Sequence, residues 1–167
     1  MQAPLIRTER LLLRPYRLED FQHLLALYET DRAAFIGGRL TPRQVWDGFM
    51  NCIGQWLVLG LGGWAVEETG SGVLVGEVAI HRPVDYPEVE LGWLLFEGHE
   101  GRGYAQEAAA AARKWAFEEA GLSTLVSYID RDNARSIRLA ERLGATRDAD
   151  AATPNDDPCL VFRHARP

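Results

Sequence analysis

The residues Glu100-Gly101-Arg102-Gly103-Tyr104-Ala105 set two glycines and an alanine between a strand-like run, Val89 to Phe96, and an alanine-rich helical pattern, Gln106 to Glu119. The first turn of a helix carries backbone N–H groups without intrahelical partners, and the positive end of the helix dipole. Small side chains let an anion approach those donors. The segment is therefore suited to a phosphate, most simply a diphosphate, although Gly101 and Gly103 would serve equally well as a plain strand-to-helix turn. Two common phosphate motifs do not fit. No Gly-Lys-Ser/Thr follows, and the sixth position of a dinucleotide fingerprint is Gln106, where Gly or Ala is required.

Other chemistry is thinly signalled. His23, His81, His99 and His164 are scattered, and no pair has ligand spacing, so no metal site is expected. Cys52 and Cys159 lie far apart and are expected to be free, buried thiols in a reducing compartment. No cysteine or serine sits in a recognisable nucleophile–base arrangement, which gives a covalent intermediate on the protein no support.

The elements that must position the glycine loop follow from periodicity and punctuation. A chain of 167 residues with 47% hydrophobic and 25% charged residues is expected to form one domain, residues 1–167. A net charge of -6 argues against nonspecific nucleic-acid binding. No signal-peptide stretch is expected at the N-terminus, and Ile53 to Trp64 is broken by glycines and Gln55, so a cytoplasmic, non-membrane protein is expected. Leu11 to Tyr16 reads as a strand and Asp20 to Thr30 as a helix. Thr41-Pro42 is an N-cap followed by proline at the first helical position. Trp64 to Glu68 and Val73 to His81 read as a hairpin around Thr69-Gly70-Ser71-Gly72. Glu88 to Phe96 reads as a strand whose Gly92 marks a bulge or a close approach. Leu125 to Ile129 is a strand, and Asn133 to Leu143 a helix stopped by Gly144. Ala145 to Arg147 and Cys159 to His164 are final strands. The order is β-α-α-β-β-β-α-β-α-β-β, a mixed α/β sheet with helices on its faces.

This order, the Gly-Arg-Gly-Tyr-Ala loop, and the segment Asn133-Ala-Arg-Ser136 … Glu141-Arg-Leu-Gly144 together resemble the GNAT acyl-CoA N-acyltransferases. The opening Leu5-Ile6-Arg7-Thr8-Glu9-Arg10-Leu11-Leu12-Leu13-Arg14-Pro15 is similar to the RimJ/RimL-type branch, named for enzymes that acetylate ribosomal protein N-termini. The resemblance runs from about Leu5 to Arg163. It implies an α/β (α+β) fold with a mostly antiparallel sheet splayed in the middle, helices on both faces, and acetyl-CoA in the opening. Gly101, Arg102, Gly103, Tyr104 and Ala105 would bind the diphosphate through backbone N–H groups. Arg102 could add a charged contact, and the Tyr104 ring could cover the cofactor. The pattern usually carries Gln or Arg where this chain has Glu100.

Acyl transfer to an amine needs a proton acceptor, a polarised thioester carbonyl and a protonated leaving thiolate. The resemblance makes Glu90 the candidate base, with Glu88 on its face by strand period, and Glu77 weaker and more structural. A backbone N–H at Leu94 or Leu95 would polarise the carbonyl. The tyrosine that many family members use as acid falls at Leu139. Ser136 matches the serine that this branch carries instead, and Asn133 would bind the pantetheine arm or simply cap its helix. Trp46, Phe49, Trp56 and Trp64 are expected mostly in the core. The implied function is transfer of an acetyl group to a small amine or a protein N-terminus through a ternary complex. A homodimer is common in the family. The rival reading is a non-catalytic acyl-CoA-binding module; a nucleotide-binding protein is a third.

Overall fold

A computed structural model describes residues 2–167. The chain opens with a hairpin, β1 (Ile6–Arg7) and β2 (Leu11–Arg14), and turns through Leu18–Asp20 into α1 (Phe21–Tyr28). A short turn, Asp31–Phe35, leads to α2 (Pro42–Val58), followed by β3 (Gly62–Glu68), β4 (Leu74–His81) and β5 (Glu90–Leu95). Then come α3 (Tyr104–Glu118), β6 (Val126–Ile129), α4 (Ala134–Arg142), β7 (Thr146–Arg147) and β8 (Leu160–Arg163).

The eight strands form one sheet in the order β1-β2-β3-β4-β5-β6-β8-β7. Every neighbouring pair is antiparallel except β5 and β6. Those two join in parallel at one position, Glu90 opposite Val126, where the Val126 N–H donates to the Val89 carbonyl at 3.1 Å. Beyond that join the strands part, and the sheet opens toward the C-terminal end of β5. This is the splayed, mostly antiparallel α/β architecture with helices on both faces.

Local chemistry explains the helices. Thr41 caps α2 in a reciprocal box: the Gln44 N–H donates to Thr41 Oγ1 at 3.3 Å and the Thr41 N–H to Gln44 Oε1 at 2.9 Å. Val45, Phe49 and Trp56 are buried from this helix. On α3, Ala108, Ala109, Ala112 and Ala116 are buried, and their small size lets the helix lie close on the sheet. Trp56, Trp64 and Trp115 interlock edge to face with centroids 4.6 to 5.4 Å apart. A second core between the sheet and α1–α2 holds Leu24, Leu27, Val45, Phe49, Ala65, Leu74 and Phe96. Trp46 departs from the expected core: it is 36% exposed and packs against Phe21.

Three sequence expectations need correction. Gly92 makes no bulge; it pairs with Ala79 in an unbroken register, and the irregularity in this sheet falls between Val66 and Glu67. The strand expected from Glu88 begins at Glu90, because Glu88 bends away to an ion pair described below. The two-residue β1 adds a strand to the expected order, being too short to show a period in the sequence.

Candidate active site

The opening leads into a cavity of about 840 Å³. Its floor follows from strand register. Glu77, Ala79 and His81 of β4 pair with Leu94, Gly92 and Glu90 of β5, and directly paired residues share a face. All six line the cavity. Ala79 and Gly92 keep the middle of the floor low. A Cβ on Gly92 would sit 3.7 Å from His81 Nε2 and 3.9 Å from Glu90 Cδ, an ordinary contact, so the glycine leaves space and relieves no clash. Tyr28, Ile36 and Cys52 border one side, and Ser127 to Asp130, Asn133 and Ser136 the other.

Glu90 is only 8% exposed. Its Oε2 meets His81 Nε2 at 2.8 Å, and its Oε1 accepts the Tyr128 N–H at 3.3 Å. Burial lowers the His81 pKa, but the hydrogen bond and charge of Glu90, with Glu77 adding, lift it above the ordinary imidazole value. Burial pushes the Glu77 carboxyl up, against the nearby Tyr16 hydroxyl and the charge of His81. Glu77 therefore belongs to the site more closely than its sequence reading allowed. Glu88 does not belong to it: both its oxygens accept from Arg163 at 2.8 Å, and Thr124 Oγ1 donates to it at 3.0 Å. Cys52 and Cys159 are free and line the cavity; burial raises both thiol pKa values, which leaves them protonated and weakly nucleophilic.

Ser136 and Asn133 sit across the opening. Asn133 is the N-cap of α4, its Oδ1 accepting the Ser136 N–H at 3.1 Å. Trp93 Nε1 donates to Ser136 Oγ at 3.2 Å, which leaves the serine O–H free to donate elsewhere. Leu139 is buried in the core, so no acid occupies its position.

The β5 edge decides between Leu94 and Leu95. The Phe96 N–H bonds the Val75 carbonyl at 2.9 Å, and hydrogen-bonded pairs alternate along an antiparallel ladder. Leu94 is therefore a bonded pair with Glu77, and its N–H is directed at β4. The Leu94 expectation is corrected on this ground. The N–H groups of Trp93 and Leu95 face the opposite way, toward the parting of β5 from β6. The parallel join agrees, since β5 reaches β6 through odd-numbered Val89.

The glycine loop lies at the C-terminal end of β5; Gly101 to Ala105 and Leu95 do not line the cavity itself. Gly101 (φ 74°) and Gly103 (φ 83°) take left-handed conformations, with Gly103 at the N-cap of α3. Among the described residues, the N–H groups of Gly101, Arg102, Gly103, Tyr104, Ala105 and Gln106 have no backbone acceptor; the first such bond of α3 runs from Glu107 to Gly103. The loop is braced from the β1–β2 turn. Glu107 accepts from Thr8 Oγ1 at 2.6 Å, the Arg10 N–H at 2.8 Å and Arg10 Nε at 2.7 Å, and Arg10 Nη1 donates to the Arg102 carbonyl at 2.9 Å.

The loop side chains differ from expectation. The Tyr104 ring is buried (3% exposed), hydrogen-bonds Glu68 and lies 5.0 Å from both the Arg10 and Arg102 guanidinium carbons, so it does not cover a cofactor. Arg102 turns toward Glu68 at 3.7 Å. Ala105 packs against the core. What remains for an anion is backbone. Glu100 is paired with Arg32 and accepts the Gly98 N–H at 3.1 Å, which holds its charge back from the loop. No cluster of three or more His, Cys, Asp or Glu among the described residues is arranged to hold a metal ion. No helix among them is long and apolar enough to cross a membrane.

The sequence reading does not reach His81 or the brace formed by Thr8, Arg10 and Glu107. Alternation places Glu77, Ala79 and His81 on one face, which is a usable signal; their pairing with Glu90 is not, because it depends on register across the Pro83 to Pro87 turn.

A splayed, mostly antiparallel sheet with a small-residue loop at the head of α3 matches the GNAT acetyltransferase fold. The chain belongs to the GNAT acetyltransferase family, whose domain model matches residues 10–146. It is similar to an acetyltransferase from Agrobacterium tumefaciens strain C58, with 40% identity, a TM-score of 0.95, and coverage of 99% of this chain and 96% of that one. YkkB of Bacillus subtilis (strain 168), an uncharacterized protein, is 34% identical over 83 residues, 48% of each chain, so the match spans about half the length of that relative. RimL, a ribosomal L7/L12 alpha-N-protein acetyltransferase solved in complex with coenzyme A, shares the fold at 16% identity and TM-score 0.73, over 98% of this chain and 97% of that one.

Proposed function

We propose that this protein transfers an acetyl group from acetyl-CoA directly to a primary amine, both substrates being bound at once. The observation that carries the reading is the free β5 edge beside a buried carboxylate: Trp93 and Leu95 present N–H groups to the opening, and Glu90 and His81 lie on the adjoining face. The unpartnered N–H groups from Gly101 to Gln106 fit a diphosphate at a helix N-terminus. The Asn133 amide nitrogen is available to the pantetheine arm. The RimL neighbour, described in complex with coenzyme A, supports this choice of donor.

The residues divide the chemistry. The Leu95 or Trp93 N–H donates to the thioester oxygen as charge develops there. The Glu90–His81 pair draws a proton from the amine. The Ser136 hydroxyl hydrogen-bonds the departing sulfur. The acceptor is a small amine or a protein N-terminus; the RimL name points to the second, and the acidic balance of the chain suits a cationic acceptor of either kind. We place the protein in the cytoplasm, bound to neither nucleic acid nor membrane, as a single domain able to form a homodimer.

Thermal shift with acetyl-CoA, desacetyl-CoA, ATP and NAD is the first test, since a ligand of the folded state raises its melting temperature. Stabilisation by the two CoA species alone is expected. A panel of primary amines and short peptides with free Ser, Ala or Met N-termini then tests turnover. Stabilisation by ATP or NAD alone would overturn the reading, and CoA binding with no turnover across the panel would leave a binding module.

A further inference from the structure

His81 and Glu90 are opposite one another across β4 and β5, with side chains 19% and 11% exposed. A carboxylate accepts only, so in the resting pair His81 Nε2 carries the hydrogen in the 2.8 Å contact. That fixes the tautomer and leaves Nδ1 with its lone pair. Nδ1 has no partner among the described residues and is not sealed from solvent, and His81 lines the cavity. Both Glu90 oxygens are already engaged, one by His81 and the other by the Tyr128 N–H. An imidazole held through one nitrogen by a buried carboxylate, its other nitrogen open to a cleft, is the arrangement of a general base and its orienting partner.

Resting on the acetyl-transfer reading above, we infer that His81 is the catalytic residue that accepts the amine proton, and that Glu90 is its positioning residue. The amine lone pair attacks the thioester carbonyl carbon; the C–N bond forms and the π pair moves to oxygen. The amine N–H proton passes to His81 Nδ1, directly or through one water. Re-formation of the carbonyl breaks the C–S bond, and the sulfur leaves with that electron pair and takes a proton from solvent beside Ser136. The imidazolium, stabilised by the Glu90 carboxylate, then returns its proton to solvent.

The surroundings favour this charge. Glu90 of β5 and Glu77 of β4 are the carboxylates that act on His81. Tyr86, from the loop after β4, lies edge to face with the imidazole, the ring centroids 5.8 Å apart. Cys52 of α2, in the same cavity, is kept a neutral thiol by burial. Arg82 turns its guanidinium away, to the Tyr86 and Pro87 carbonyls at 3.4 and 3.2 Å.

The test combines pH–rate profiles, using the fastest amine of the panel above, with ¹⁵N-histidine NMR titration of wild type, Glu90→Gln and His81→Gln. In wild type the acid limb of kcat/KM should coincide with the His81 titration. The amide oxygen introduced by Glu90→Gln can still accept from Nε2 but carries no charge. That substitution should therefore move both limb and titration down together and lower kcat/KM on the order of 100-fold. His81→Gln should abolish the limb while CoA still raises the melting temperature. A limb unchanged in His81→Gln, or one that stays put in Glu90→Gln while the imidazole titration moves, would overturn the inference. Should His81→Gln fail to fold, the paired measurements on Glu90→Gln decide the matter alone. A wild-type protein that binds CoA but acetylates nothing would instead sink the acetyl-transfer reading, and this inference with it.

Discussion

Gly92 matters for what it leaves out. Its notional Cβ meets nothing closer than 3.7 Å, so Gly92→Ala should fold normally and change stability by no more than about 0.5 kcal/mol. A longer side chain would rise from the floor between Glu90 and Leu94. Gly92→Leu should therefore lower kcat/KM by about tenfold or more, a loss of about 1.4 kcal/mol in the transition state, while the acetyl-CoA thermal shift is retained. Comparing kinetics with CoA stabilisation checks this; an unchanged kcat/KM in the leucine variant would mean that the amine does not cross this floor. Gly76 and Gly62 are also strand glycines but do a different job. A Cβ on Gly76 would fall 2.3 Å from the Leu94 carbonyl oxygen, and one on Gly62 2.4 Å from the Cys52 carbonyl oxygen, both immovable backbone. One residue type in one kind of element thus makes substrate space at one position and close packing at the others.

At the scale of elements, the donors at the start of α3 are only as well placed as the turn that braces them. Thr8 and Arg10 reach Glu107 across about a hundred residues of chain, and Arg10 also holds the Arg102 carbonyl. Burial raises the Glu107 carboxyl pKa, but its bonds from Thr8 and Arg10 outweigh that and hold it below the ordinary value, so the brace is charged at neutral pH. Glu107→Ala should destabilise the fold by about 1 kcal/mol and weaken CoA binding roughly fivefold, with the KM for the amine unchanged. Calorimetry of CoA binding beside a melting curve checks it; a lower melting temperature with undiminished affinity would confine the brace to stability. This brace also shows where sequence reading stops. Thr41-Pro42, Asn133 and Gly144 act within a few residues of themselves, and their caps and stops are legible. The Thr8-Glu9-Arg10 segment is legible only as a family signature, because its partner is brought near by the fold. The same holds for His81, whose strand and face are readable but whose partner requires the register of a hairpin. Backbone donors such as the Leu95 N–H leave no trace in side-chain identity, and only the alternation of the ladder separates Leu95 from Leu94.

Across the whole molecule, the sheet is two parts held at the root of its opening, and that root carries a histidine that must stay neutral. His164 is 4% exposed. Its backbone N–H donates to the Leu125 carbonyl at 2.9 Å, and its ring Nε2 meets Ser127 Oγ at 2.9 Å. Ser127 Oγ donates its one hydrogen to the Leu91 carbonyl at 2.6 Å, so Nε2 is the donor to Ser127. Nδ1 is then bare, buried and without a partner. Protonation would place a charge there with nothing to receive its hydrogen, and burial, with the charge of Arg113, pushes the His164 pKa down to about 4. The sign follows. Above pH 6.5 neither folded nor unfolded chain holds this proton, whereas between 6.5 and about 4 the unfolded chain takes it up and the folded chain refuses it. Stability should therefore fall through that window, by roughly 3 kcal/mol at its lower end. His81 works the other way: its raised pKa adds stability at low pH that is lost as pH rises through the folded value. The carboxylates held below their ordinary values by ion pairs, among them Asp20, Glu88 and Asp148, lose their contribution as pH falls from the ordinary values of 4.5 for Glu and 3.8 for Asp down to their own depressed values, so they enter only at the foot of that window. Acid sensitivity between pH 6.5 and 4 is thus assigned to His164. In His164→Gln the amide nitrogen can still donate to Ser127 but cannot take up a proton. Its melting temperature should stay nearly level across the window while that of the wild type falls; parallel curves would move the acid-sensitive group away from the root of the sheet.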